Sequence, residues 1–401
     1  MSENRTPINA IAPTMVFYLS FILLGLTMAV TGPTLTTLAK HTSSRIDQIS
    51  FIFITGSLGY LIGTVIGGRL YDRFPGNRVI PFGLLVLAVS SAYVPAASQL
   101  VILTLAIFFL GFSQGVIDVG GNTLLIWIHG NGVGPYMNGL HFFFGVGALL
   151  SPILVAQFFK YSGEIFWVYR LFSLLAIPLA IWAWFLGNPA RQNKAASEPK
   201  GKVNYVMVFF IALLFFLYVG AELGYSSWIF TYTTSLGLGS TMSAAYLTSA
   251  FWGFFTLGRL IGIPISTRVD LLIILFADLI GCLVSLGVII LGSSSTTALW
   301  LGTIFLGLCM ASFFATLMSL AERKLHISGQ ITGLFLVGAG LGGMFLPWFI
   351  GQTFSSIGPQ VMPIAIFIDL LLNLVLLSVL ASRFTRLNKD EAILPIKESA
   401  T

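Results

Sequence analysis

Asp118 stands inside the apolar stretch 108–127, which is long enough to cross a bilayer. A carboxylate at that depth is costly unless it meets a partner, a water-filled space or a proton, so its presence points to function. Gln114 and Asn122 lie four residues to either side. At helical spacing the three share one face and form a polar stripe along an otherwise apolar rod. Two chemistries are open to Asp118. It can carry a proton, neutral when occluded and charged when wet. Alternatively it stays ionised and anchors a sodium site with Asn122, completed by oxygens of Thr123, Gln114 or Ser151, because hard cations take oxygen ligands. A purely structural reading pairs it instead with a donor such as His141.

Glu222 is a second acid in an apolar run, with Tyr218, Tyr225 and Ser226 at spacings that put them near its face. It is expected to contact the ion or a solute, the alternative being an interhelical hydrogen bond. Trp228, Tyr232 and Trp252 offer flat apolar surfaces. Together with amides and acids they would make the mixed lining of a small-molecule site, and a sugar ring suits such a lining. Asn138 and His141, three residues apart, add polar groups on another helix. Asp278 and Asp369 are expected to be structural or to lie at the lipid edge. Enzymatic chemistry does not fit. The histidines are scattered without HExxH spacing, no Walker Lys-Ser/Thr loop occurs, and no nucleophile elbow is present. Cys282 and Cys309 sit in apolar runs without disulfide or CxxC spacing. No cofactor is expected apart from a sodium ion.

Composition fixes the elements that must hold these residues. Of 401 residues, 56% are hydrophobic and only 8% charged, far below the share in soluble domains. The net charge of +6 comes from basic residues scattered singly, with no basic stripe of the kind that binds nucleic acid. Apolar runs predict twelve transmembrane helices, at 12–32, 48–70, 78–97, 100–126, 136–159, 165–187, 204–234, 242–265, 270–292, 297–320, 329–351 and 361–383. The first run is long enough to remain a membrane helix, not a cleaved signal. The implied domains are a six-helix bundle over 1–187, a polar linker over 188–203, a second bundle over 204–385 and a tail over 386–401. Placing both termini in the cytoplasm puts Arg69, Arg73, Arg78, Arg259, Arg268, Arg323, Lys324 and the basic linker inside. Only Lys40, Arg45 and Lys160 then fall in outer loops, as the positive-inside rule requires.

An offset of about 195 residues aligns the two halves. Gly25 meets Gly220; Gly63, Gly67 and Arg73 meet Gly258, Gly262 and Arg268; Gly111 meets Gly307; Pro152 and Gln157 meet Pro347 and Gln352. Glu222 falls on Thr27, so this acid belongs to one half only. Two like-oriented bundles imply pseudo-symmetry about the membrane normal, with a midplane site between them opened alternately to each side.

The segment 68–78 (GRLYDRFPGNR) follows the second run and resembles the G-x-L-x-D-R-x-G-R motif of the major facilitator superfamily. The resemblance implies that fold over the whole chain and a gating role for Gly68, Asp72, Arg73 and Arg78. Further segments, at 118–122 (DVGGN), 135–141 (PYMNGLH), 218–225 (YVGAELGY) and 331–338 (ITGLFLVG), resemble the fucose-permease and sodium-dependent-glucose-transporter-like branch. That similarity implies that Asp118 and Asn122 take the family's coupling and sugar-binding positions. The expected protein is therefore an all-α membrane protein of two six-helix bundles in the cytoplasmic membrane, expected to act as a monomer. It would import a small polar solute, foremost a monosaccharide, by symport with sodium or a proton. Asp118, Asn122 and Glu222 are the expected ion-coupling residues; Gln114, Asn122, Asn138, His141, Glu222, Tyr225, Trp228 and Trp252 are the expected solute contacts. The rivals are an exporter of amphiphilic drugs or lipids and a membrane sensor without flux.

Overall fold

Twelve helical rods account for most of the chain in a computed structural model that describes residues 10–187, 204–325 and 329–393. The expected linker over 188–203 lies outside the described residues, as do Arg5, His326 and the end of the tail. The first half comprises α1 (Ile11–Ala29, resuming as Thr31–His41), α2 (Ile46–Arg73), α3 (Gly76–Tyr93), α4 (Leu100–His129), α5 (Gly134–Ser162) and α6 (Phe166–Trp184). The second comprises α7 (Tyr205–Ser235), α8 (Thr241–Ser266), α9 (Leu271–Leu291), α10 (Thr296–Met310, resuming as Phe313–Lys324), α11 (Gly329–Ile357) and α12 (Val361–Ile393). Among the described residues, eleven rods are long and apolar enough to cross a membrane. The twelfth, α8, has the length but is diluted by serine, threonine, glycine and Arg259.

Local chemistry explains the ends and breaks. Side chains of Asn204, Ser240, Asp270 and Ser295 accept hydrogen bonds from backbone N–H groups in the first turns of α7, α8, α9 and α10. Helix α1 continues past the expected end at 32, to His41, with a discontinuity around Val30. Pro33 has no N–H to donate to the carbonyl of Ala29, which interrupts the ladder without ending the rod. Helix α10 breaks at Ala311 and Ser312, and the carbonyl of Met310 accepts a hydrogen bond from the Tyr218 hydroxyl of α7 at 2.5 Å.

Glycine determines how closely the rods approach. A Cβ at Gly59 or Gly63 would run into the carbonyls of Phe108 and Phe112, and one at Gly111 or Gly115 into those of Gly56 and Tyr60. Helices α2 and α4 therefore meet backbone to backbone, the close approach that small residues permit in membranes. The repeat mates behave alike. Gly258 abuts the Leu308 carbonyl and Gly307 the Phe251 carbonyl, joining α8 to α10. Gly25 sits on α5 at Phe144, and Gly220 on α11 at Gly342. The repeat seen in the sequence is thus a repeat of helix–helix contacts. Between the halves, α5 packs on α8, α11 on α2, and the outer part of α1 on α7.

Candidate functional site

The close approach of α2 to α4 brings Tyr60 onto Asp118. The Tyr60 hydroxyl donates to Asp118 Oδ2 at 2.5 Å, and Asn122 Nδ2 donates to Oδ1 at 3.0 Å and to the Asp118 backbone carbonyl at 2.9 Å. One helical turn away, Gln114 Nε2 donates to Thr27 Oγ1 of α1 at 3.1 Å. The polar stripe is therefore real, and it faces a cavity of about 930 Å³ between the two halves. Helices α1, α2, α4 and α5 supply one wall, and α7, α8, α10 and α11, with Leu271 at the start of α9, supply the other. Glu222 and Trp252 face this space from the second half, as do Asn138 and His141 from α5. His141 packs edge-on against Phe21, with ring centroids 6.0 Å apart, and Asp118 takes its hydrogen bonds from Tyr60 and Asn122.

The Trp252 ring forms an aromatic wall with Phe144 and Phe255, at centroid distances of 6.3 and 5.5 Å. Its Nε1 is buried without a protein acceptor, so the ring and not the N–H meets the cavity. Such a wall suits the C–H face of a sugar-like ring, with amides and acids opposite to take hydroxyl groups.

Two expected solute contacts are placed elsewhere. Tyr225 is fully buried and shares a 2.6 Å hydrogen bond with Thr303 of α10. Trp228 is also fully buried; its Nε1 donates to the Pro347 carbonyl at 2.9 Å and its ring stacks on Phe354. Both hold the second bundle together, because their positions on α7 turn away from the face that carries Glu222. Ser151, considered for an ion shell, donates to the Leu26 carbonyl within the α1–α5 contact and lies off the cavity. Asp278 accepts a 2.6 Å hydrogen bond from Ser312, a cavity-lining residue at the α10 break. Asp369 is buried on α12, of which no described residue lines the cavity.

Arg259 and Tyr60 were not anticipated at the site. Counted by sequence as an inner-surface anchor, Arg259 instead lines the cavity, with its guanidinium 4.5 Å from the centroid of Phe255. It shares the cavity wall with Glu222 and His141. Its position within the expected span, several residues before the end of α8, was the available signal.

At the end where Lys40 and Arg45 lie, the cavity is sealed. Gly32 of α1 sits against the backbone of Ser226 and Ser227 of α7. Gln352 of α11 donates to the Asp47 carbonyl at 2.7 Å and to Ser50 Oγ at 3.0 Å, both on α2. Its repeat mate Gln157 of α5 donates to the Tyr246 hydroxyl of α8 at 2.9 Å. The two amides thus tie the two bundles at symmetry-related positions. At the other end the wall reaches Asn138, which is exposed, and Ser266 and Ser319, near the ends of their helices. The motif residues Asp72, Arg73 and Arg78 are exposed at that end, where Arg78 lies 5.9 Å over Trp184 of its own bundle. Gly68 has open space around it.

The tie predicts a measurable asymmetry. Replacing Gln352 with alanine removes two hydrogen bonds, each worth about 0.5–1.5 kcal/mol. The sealed state should lose population by roughly tenfold, and Q157A should do so by less. Loss of labelling of a cysteine at Asn138, exposed at the opposite mouth, reports the shift; unchanged labelling would remove the tie from the gate.

Two pseudo-symmetric six-helix bundles around one largely apolar cavity with a few polar groups, closed at one end, define a membrane transporter. The family model of the Major Facilitator Superfamily matches residues 17–389, and the chain belongs to that superfamily. Within it the chain falls in the branch that holds sodium-dependent glucose transporter 1. It is 32% identical to that protein of Xenopus laevis, over 81% of this chain and 72% of the relative. It is 30% identical to that of Homo sapiens, over 83% and 71%. Among solved structures, a D-xylose–proton symporter matches the fold with a TM-score of 0.75 at 15% identity, over 92% of this chain and 97% of the other. A nucleoside transporter also gives 0.75, at 14% identity, over 92% and 99%. Family membership makes the protein a multi-pass membrane transporter and not an enzyme.

Proposed function

We propose that the protein is a cation-coupled symporter of a monosaccharide that works by alternating access, with the arginine-rich end of the bundles in the cytoplasm. The conformation described above is then that of a carrier open to the cytoplasm and sealed outside. The observation that carries this reading is Asp118. It is an acid at mid-depth, held by the neutral donors Tyr60 and Asn122 and lining the space shared by both bundles. Such a group binds a cation most strongly when water is excluded around it, and the gradient is thereby tied to movement of the solute. The sodium reading uses Asp118 and Asn122 as oxygen donors; the proton reading uses Asp118 alone. Relatives named as sodium-dependent glucose transporters support sodium, and the fold of a sugar–proton symporter is compatible with either. Gln114, Asn122, Asn138, His141 and Glu222 would receive the solute hydroxyls while Trp252 supports the ring. The deciding experiment is counterflow of labelled hexose in proteoliposomes, with sodium and pH varied independently. Exchange that one cation gradient converts to accumulation is the expected result. Movement of cationic dyes without hexose, or hexose binding without flux, would overturn it.

A further inference from the structure

Asp369 and Asn373 of α12 are polar residues that the site does not use, and they are only 8% and 0% exposed. They lie four residues apart and share one face of the helix, the same acid-to-amide spacing as Asp118 and Asn122 on α4. The two amides are turned in opposite senses. Asn122 gives its Nδ2 to Asp118 at 3.0 Å, as suits an anion. Asn373 instead gives its Nδ2 to the Leu214 carbonyl of α7 at 3.2 Å, which leaves its Oδ1 enclosed without a donor. Asp369 Oδ2 is likewise enclosed, and no donor among the described residues reaches it. Helices α7, α9 and α11 pack against α12, and none of them carries a lysine, arginine or histidine. The first basic residue of α12 itself, Arg383, stands about 21 Å further along the axis. The titratable groups of the packed helices are committed elsewhere. Tyr218, Tyr225 and Tyr232 of α7 are bonded to Met310, Thr303 and Gln360, and Tyr205 is exposed at its start. Glu222 lines the cavity, Asp278 of α9 is bonded to Ser312, and Cys282 is a buried thiol.

We infer that Asp369 is a resident proton-binding site: at neutral pH its carboxyl group keeps a proton on Oδ2 and donates it to Asn373 Oδ1. Two enclosed acceptors one turn apart lack a single hydrogen between them, and a neutral carboxylic acid supplies it. The ionised form would stand inside a membrane helix with neither a cation nor a donor beside it, the arrangement that an apolar medium penalises most. With the proton in place, a chain of hydrogen bonds runs from the acid through the amide to the Leu214 carbonyl. It fastens α12 to α7 without net charge, and each link polarises the next. The same spacing therefore serves two ends. Asp118 has donors and faces the cavity, so it can be an anion that takes up a cation. Asp369 has neither, holds its proton and stands outside the coupling step. Nothing in this depends on which solute the carrier moves.

The test is infrared spectroscopy of the full chain in lipid at about pH 7, where an unperturbed aspartate is ionised. The carbonyl stretch of a carboxylic acid lies apart from the bands of a carboxylate and moves when the proton is exchanged for deuterium. Subtracting the spectrum of Asp369→Asn from that of the unmodified protein should leave one carboxylic-acid band and no carboxylate band. A carboxylate band in that difference overturns the inference. Asn373→Leu removes the acceptor, so the acid band should persist but move to the frequency of a carboxyl group without that hydrogen bond. An unmoved band means that the proton is given elsewhere, and the pairing with Asn373 falls. Addition of sodium or hexose should leave the Asp369 band as it was, and a change with either one overturns its place outside coupling. Asparagine at 369 can itself offer an N–H to Asn373 Oδ1, so Asp369→Asn should fold. Should it fail to accumulate in membranes, Asn373→Leu alone decides: a shifted acid band supports the site, and an acid region identical to that of the unmodified protein overturns it.

Discussion

Asp118→Asn should abolish uphill accumulation of hexose while leaving its exchange between equal concentrations in place. The substitution preserves shape and keeps hydrogen-bonding capacity toward Tyr60 and Asn122, so packing around α4 should survive. What it removes is the anionic oxygen. Without it the empty carrier can close in either direction with no ion bound, and a gradient of sodium or protons no longer biases the direction of net flux. The expected readings are an inside-to-outside ratio that settles at unity and counterflow near the unmodified rate. Tyr60→Phe should act on the same carboxylate in a graded way. Removing a hydrogen bond to a charged acceptor, worth about 1.5–3 kcal/mol, leaves an oxygen that gains more from the cation. The half-saturating cation concentration should then fall by roughly tenfold or more. Accumulation that survives in Asp118→Asn would show that coupling resides elsewhere.

Gly32→Val should trap the carrier away from the conformation described here. A Cβ at residue 32 would press on the carbonyl oxygens of Ser226 and Ser227, which are backbone atoms and cannot rotate aside as a side chain would. Overpacking of this kind costs about 1–3 kcal/mol, enough to depopulate the sealed state by roughly 10- to 100-fold. Net transport should collapse, while a cysteine placed at Ser50, buried here beneath Gln352 and Gly351, becomes open to a membrane-impermeant thiol reagent. A cysteine at Asn138, exposed at the opposite mouth, should lose reactivity in the same variant. Transport and labelling unchanged by Gly32→Val would mean that the α1–α7 contact does not form the seal.

The parts of this arrangement that could be read from the chain are those that violate a rule of composition. Asp118 is conspicuous because an acid in an apolar run has few innocent explanations, and Gln114 and Asn122 follow from helical geometry alone. The repeated glycines and the Gln157–Gln352 pair were visible as coincidences at one offset, and the structure shows that each pair makes the equivalent contact. Tyr60 was not legible, since nothing in a single helix tells which residue of a neighbour stands opposite. Arg259 was misread because counting charges by loop rewards position along the chain, whereas its role depends on depth and on which way α8 is turned. Tyr225 and Trp228 illustrate the limit of reading one helix face. They lie near Glu222 in sequence, yet a rod surrounded by its own bundle has several apolar faces, and hydrogen bonds to Thr303 and Pro347 commit these two to the interior. Helix α11 makes close contacts through only some of its glycines. Gly338 and Gly342 meet the carbonyls of Ala212 and Phe216, and Gly340 meets Leu61 across the bundles, while Gly333 faces open space.

The two glutamine ties carry no net charge. A clasp made from neutral dipoles and steric fit has almost no reach beyond contact distance, so dissolved electrolyte has little to shield. The shutter on that face should therefore open and shut with the same ease in dilute and in saline surroundings, and the ionic make-up of the medium would be registered only deeper down, by the acid that binds the ion.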